Sequence, residues 1–235
     1  MKTHLKKYRL QYILGIIFLL FIAGVSFKQI LDRTKITRKS KIEYIVIHYT
    51  ANPNSGATAE MNAIYLKNKE RAGTHYCIDD EEIIQCTDEQ NVAYAVGDKK
   101  WLGFIPKPWL KNKVTNNNSI SYEMCLGGGR NDSVIVDITA QAVAWQILNK
   151  GFYHSTVKSL SVWSAGQNKS VIYTKKVIVP DLGRIVRHHD VSGKHCPRFY
   201  YMDTAWDQTK EDRAFYKFKL KVDKYVQQKL KNEVQ

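Results

Sequence analysis

A chain of 235 residues and 27.2 kDa is sized for one catalytic domain with short appendages. Hydrophobic residues at 44%, with only 13 Gly and 5 Pro, exclude collagenous and disordered classes, and four Cys are too few for a disulfide scaffold. The net charge of +14 sits at the ends: residues 1–41 carry +9 and residues 209–235 carry +4, leaving the body at +1. A nucleic-acid binder needs its basic stripe on the folded body, so no nucleic-acid partner is expected.

In chain order, a basic tail (1–10) precedes the uncharged run Tyr12 to Phe27, which reads as membrane-inserting. Sixteen helical residues cover about 24 Å of a hydrocarbon core about 30 Å thick, so a span requires recruiting neighbours, giving a transmembrane signal anchor over 11–30. A cleaved signal peptide is the competing reading, although a small-x-small cleavage site is missing. Residues 31–41 form a linker, within a stretch (28–40) that lacks apolar periodicity and reads as a solvated stalk. Glu43 to Tyr49 is β-branched and aromatic and ends at a breaker cluster (51–56), the mark of a central strand with His48 near its carboxyl end. Thr58 to Asn68 is predicted helical, with Ser55 as a candidate cap. His75–Ile78 and Ile83–Cys86 flank Asp79-Asp80-Glu81-Glu82 as a hairpin. Ser119 to Leu126 is another strand, ended by three glycines at 127–129, and Asp137 to Asn149 is a helix capped by Asp137 or Thr139. Residues 155–180 read as a loop-rich insertion with a strand at Val171 to Tyr173, and Ile185 to His189 as a last strand. Phe215, Phe218, Val222 and Val226 give the carboxyl-terminal stretch (209–235) an amphipathic helical period with a basic outer face. Strands interleaved with helices predict an α/β catalytic domain over 42–208, a mixed central β-sheet flanked by helices.

A zinc hydrolase needs three rigid protein donors and an open position. His48 at a strand end, with His188 and Cys196 eight residues apart around a glycine-containing turn, supply such a set, Cys196 as thiolate. If the strand continues, His189 faces away from His188. Taken alone, His48 as a satisfied strand-end histidine and Cys196 as a small buried hydrophobe remain equal alternatives. Cys77 and Cys86 flank the hairpin and face each other or stay, with Cys125, as buried free thiols.

The motifs IVIHYTA (45–51), GTHYCIDDEEIIQ (73–85), NNSISYEMCL (117–126) and RHHDVSGKHCPR (187–198) resemble, in order, those of zinc-dependent N-acetylmuramoyl-L-alanine amidases, whose relatives include phage lysozyme-amidases and peptidoglycan recognition proteins. The resemblance spans about residues 42–200. It implies one Zn2+ held by His48, His188 and Cys196, and hydrolysis of the amide joining the lactyl group of N-acetylmuramic acid to L-alanine of the stem peptide. Glu123 takes the position of the family's catalytic acid and Lys194 that of its cationic residue. Thr74 stands where some members carry a catalytic Tyr, and is expected at the substrate. Ala95 replaces a groove-facing His. His75 matches a packing position, and His154 and His195 are expected to be exposed. The implied partners are peptidoglycan and, through the amino-terminal segment, the cytoplasmic membrane. The domain is expected to be extracytoplasmic and monomeric. A non-catalytic muropeptide-binding module of the same fold, a zinc peptidase acting on the stem peptide, and a secreted form after signal cleavage are the alternatives.

Overall fold

The computed structural model describes residues 25–31, 36–70, 72–96, 106–164, 169–199 and 206–232. Its centre is a six-stranded sheet. The strands in chain order are β1 (Ser26–Gln29), β2 (Tyr44–Tyr49), β3 (Tyr76–Ile78), β4 (Glu82–Gln85), β5 (Ser119–Met124) and β8 (Ile185–Arg187). Their spatial order is β1-β4-β3-β5-β2-β8, and every neighbouring pair is parallel except the β3/β4 hairpin. Ile45, Val46 and Ile47 are fully buried because β2 is covered on both faces, which explains why its sequence is a continuous apolar run.

One face carries helices α2 (Asp132–Lys150) and α4 (Gln208–Asn232), which pack against each other over Ile45, Ile47, Ile120 and Tyr122. Phe215, Phe218, Val222 and Val226 are buried there, so the carboxyl-terminal helix is part of the domain core. The opposite face carries α1 (Ala59–Lys67) over β3 and β4, and the short α3 (His188–Ser192) with a 3-10 turn at Pro108–Leu110 beside β2 and β8.

Several sequence expectations change. Most of the segment predicted to cross a membrane (11–30) lies outside the described residues. Its last part is no helix: Val25 is buried in the core and Ser26–Gln29 form β1, paired with Glu82–Gln85 at the sheet edge. Among the described residues no helix is long and apolar enough to cross a membrane. The described parts of the stalk expected over 28–40 are likewise structured. Thr37 bridges Asn91, and the Arg38 guanidinium donates to the carbonyls of Glu89 (3.1 Å), Asn91 (3.1 Å), Asn116 (3.1 Å) and Ser119 (3.0 Å). A charged side chain held by carbonyls and by the His75 ring (2.9 Å) leaves no apolar period in the sequence, so this anchor was hidden.

Helix α1 is capped by Thr58, whose hydroxyl accepts from Met61 N, rather than by Ser55. Helix α2 starts at Asp132, five residues before the predicted Asp137, because Asn131 caps Val134 N; Asp137 instead accepts from Lys221 and Tyr225 of α4. The predicted insertion is a long hairpin, β6 (Tyr153–Ser164) antiparallel to β7 (Lys169–Pro180), forming its own two-stranded sheet. Serines and lysines interleaved with β-branched residues disguised it as loop. β8 ends at Arg187, so the predicted strand to His189 gives way to α3.

Candidate metal centre and active site

Strand register builds the site. Lys28, Ile84, Cys77, Glu123 and His48 are successive partners across β1, β4, β3, β5 and β2, so they form one row on one sheet face. Ile47 pairs with Arg187, which sets His188, the next residue on the chain, beside His48. The two imidazole centroids lie 4.7 Å apart at 63°.

The turn that delivers the remaining donor is held by ions. Asp190 accepts from Arg187 N (3.0 Å) and from Arg187 Nη2 (2.8 Å), and it pairs with Lys107 (3.1 Å); Arg187 also pairs with Asp212 of α4 (2.6 Å). Gly193 closes α3 in the left-handed region, at φ 81°. His189 N donates to Cys196 O (2.7 Å), and the buried His189 ring packs its Nδ1 3.0 Å from Lys194 O. The chain therefore doubles back and brings the Cys196 sulfur 3.7 Å from His48 Nδ1.

One donor atom from each of His48, His188 and Cys196 falls within 4.8 Å of the others, and all three residues are buried. His48 Nε2 has no hydrogen-bond partner among the described residues. Burial, with His188 and Lys194 adding positive charge nearby, holds His48 well below the usual imidazole range, keeping it neutral as a metal ligand must be. Two imidazoles and a sulfur on a rigid, dry face fit Zn2+ with a fourth position left open.

Glu123 adjoins His48 in register, and its Oε2 is shielded from solvent with no hydrogen-bond partner among the described residues. Burial pushes its carboxyl up to about 8, and the positive charge of Lys194 opposes this shift and also acts on His48. Five of the six residues expected at the site are thus brought together. Thr74 is fully buried just before β3, and its hydroxyl donates to Ser121 O (3.0 Å). His75 is a packing residue as expected, accepting at Nδ1 from Ser121 N (3.1 Å), and burial beside Arg38 lowers it to about 3. His154 is exposed, whereas His195 is half-buried and stacks on Trp206 at 4.4 Å. All four cysteines are free and buried, and Cys77 hydrogen-bonds Cys86 and Cys125 beneath α1, so the bridge weighed between Cys77 and Cys86 is absent.

The rim is set by glycine. Gly127, Gly128 and Gly129 all have positive φ, and a Cβ at Gly128 would lie 2.7 Å from Asn54 O and 2.8 Å from Pro53 O. Arg130 secures that contact by donating to Gly127 O (2.9 Å) and Ser55 O (2.8 Å). In the sequence the three glycines mark only the end of a strand. Their number was the available signal for a close backbone approach.

Residues 38–199 match the profile of the N-acetylmuramoyl-L-alanine amidase family. Among curated proteins, N-acetylmuramoyl-L-alanine amidase CwlL of Bacillus licheniformis is 30% identical over 70% of this chain and 38% of its own length. XlyB of Bacillus subtilis is 26% identical over 72% of this chain and 41% of its own. The chain therefore spans less than half the length of these relatives. In fold it is similar to the catalytic domain of XlyA (TM-score 0.56, 20% identity, 84% of this chain and 99% of that one). It is also similar to the Staphylococcus aureus hydrolase AmiA (TM-score 0.54, 16% identity, 88% and 86%). With the family profile covering most of the sheet and every candidate metal donor, the chain belongs to the N-acetylmuramoyl-L-alanine amidase family.

Proposed function

We propose that this protein hydrolyses the amide between the lactyl group of N-acetylmuramic acid and L-alanine of the peptidoglycan stem peptide, using Zn2+ held by His48, His188 and Cys196. The observation that carries this reading is the convergence of those three donors beside a shielded carboxyl and a lysine. When bound, zinc supplies a Lewis acid for the amide carbonyl and acidifies water at its open position.

The remaining chemistry belongs to the chain. Glu123 Oε2 removes a proton from the attacking water and delivers it to the departing alanine nitrogen, a role worth about 10²–10⁴ in rate. A carboxyl raised by burial suits both halves of that task, since its carboxylate is a stronger base toward the water than an ordinary one and, once protonated, keeps the proton until the nitrogen departs. Lys194 places positive charge where the tetrahedral oxygen develops its negative charge. His48 stays neutral, and the ion network around Asp190 holds the turn that bears His188 and Cys196. The substrate lies outside the cytoplasmic membrane, so the domain is assigned to that side, with the amino terminus cytoplasmic.

The test is digestion of purified peptidoglycan by the full chain in mild detergent, with mass analysis of products and metal content measured together. New amino-terminal alanine, one zinc per chain, and loss of both turnover and metal on chelation are expected. A cut further along the stem would make the protein a peptidase. Undiminished activity after zinc removal would sink the mechanism.

A further inference from the structure

Two independent features meet at one edge of the domain. The first is where the chain joins the sheet. β1 is the outermost strand and runs parallel to β4, so its start lies at the same end of the sheet as the carboxyl ends of β2, β3 and β5, where the metal donors sit. No spacer remains: Val25 is already core, and the fifteen residues before it, Leu10 to Gly24, are uncharged. If this run inserts into a membrane, as its sequence leads one to expect, fifteen helical residues would reach about 22 Å, less than a hydrocarbon core, which would draw Val25 to the headgroups.

The second feature is α1. Its buried side, Ala59 and Ala63, rests on β3 and β4, and Lys28 of β1 ties to its Glu60 at 3.5 Å. Its outer side presents Met61, Ile64 and Tyr65, exposed by 53%, 41% and 60% and spaced to form one ridge, with the Lys69 ammonium 4.5 Å above the Tyr65 ring. A soluble helix exposes its polar face, and here the exposed face is the apolar one. A thioether, a branched aliphatic, a tyrosine and a lysine able to reach outward are the composition of an interfacial contact. The neighbouring acidic turn does not oppose it. Asp79 accepts from Ala59 N and Glu82 N, Asp80 from Asn131 N, and Glu82 pairs with Lys28, so three of its four carboxylates are engaged within the fold.

We propose that α1 is a second membrane contact, its Met61, Ile64 and Tyr65 ridge seated in the headgroup region of the bilayer that holds residues 10–24, which lays the domain edge-down with the metal end of the sheet at the membrane surface. The interaction is chiefly apolar and independent of catalysis, so hydrolysis of a soluble muropeptide tests the amidase reading separately.

The experiment reconstitutes the full chain in phosphatidylcholine–phosphatidylglycerol vesicles containing a lipid with a photoactivatable diazirine, and maps lipid adducts by mass spectrometry. Adducts on the peptide bearing Met61, Ile64 and Tyr65 should exceed those on the exposed Tyr216 and Leu220 of α4 by about tenfold, and should persist in high salt. The combined Met61→Glu, Ile64→Glu and Tyr65→Glu variant should lose them while cutting soluble muropeptide at the wild-type rate. Adducts at Tyr216 and Leu220 instead, or none on α1, would overturn the proposal, and this wild-type pattern decides even if the variant misfolds. A raised KM for soluble muropeptide would assign the ridge to substrate, and chain-to-chain crosslinks through it would assign it to a second copy; either overturns the membrane contact.

Discussion

Cys196 and Glu123 occupy one dry face yet make opposite demands on protons. In the proposed mechanism the sulfur binds metal as thiolate, whereas burial raises the Glu123 carboxyl to about 8 in the metal-free chain. Cys196→Ser should therefore remove stoichiometric zinc, measured by metal analysis, and lower turnover by at least about a hundredfold. Glu123→Gln should keep the metal while lowering turnover about 10²–10⁴. The variant also carries a stability signature in the metal-free protein. Glu123 ionises near 4.5 unfolded and near 8 folded, so between those values the folded state binds more protons and stability falls as pH rises. Glu123→Gln should flatten that decline in denaturant titrations across pH 4.5 to 8. At this scale the sequence was informative about His48, His188, Cys196, Glu123 and Lys194, because motif spacing constrains residues joined by chemistry. It was least informative about Thr74, since a hydroxyl serves a buried carbonyl as well as a substrate, and nothing in composition separates the two.

Among the elements, the ends carry the function and are where local sequence is least decisive. β2 was legible from its unbroken apolar run, β5 from the alternation of Ile120, Tyr122 and Met124 with polar residues, and α4 from its three-four spacing. The start of α2 and the β6/β7 hairpin were not, because an asparagine cap and a serine-rich strand resemble loop. The two turns that frame the site yield separate tests. Gly128→Ala places a methyl against the Asn54 and Pro53 carbonyls at positive φ, and should destabilise the fold by about 1–3 kcal/mol in chemical denaturation. Asp190→Asn removes the carboxylate that binds Arg187 and Lys107 around the His188 turn, and should weaken zinc affinity by about 10–100-fold in competition with a chromogenic chelator.

Over the whole molecule, the domain begins earlier than its motifs suggest. A fragment of residues 40–235 retains every metal donor but lacks β1 and the Arg38 anchor, whereas residues 25–235 keep both. The shorter fragment should melt at least about 10 °C below the longer one when followed by circular dichroism. Resemblance located the chemistry and not this boundary, because an edge strand preceding the first motif contributes hydrogen bonds and packing without any residue of the active site.

The donors also stand far apart along the chain, one in the second strand and two beyond the eighth. The pairing of β2 with β8 closes the longest loop in the sheet, a slow step that local structure cannot hasten. An ion gripping both ends acts as a clasp on that step, since any metal affinity confined to the folded chain adds directly to its stability. On the proposed mechanism metal supply would then govern how much folded protein persists as well as how fast it cuts, and a chain reaching a zinc-poor space would be open to proteolysis.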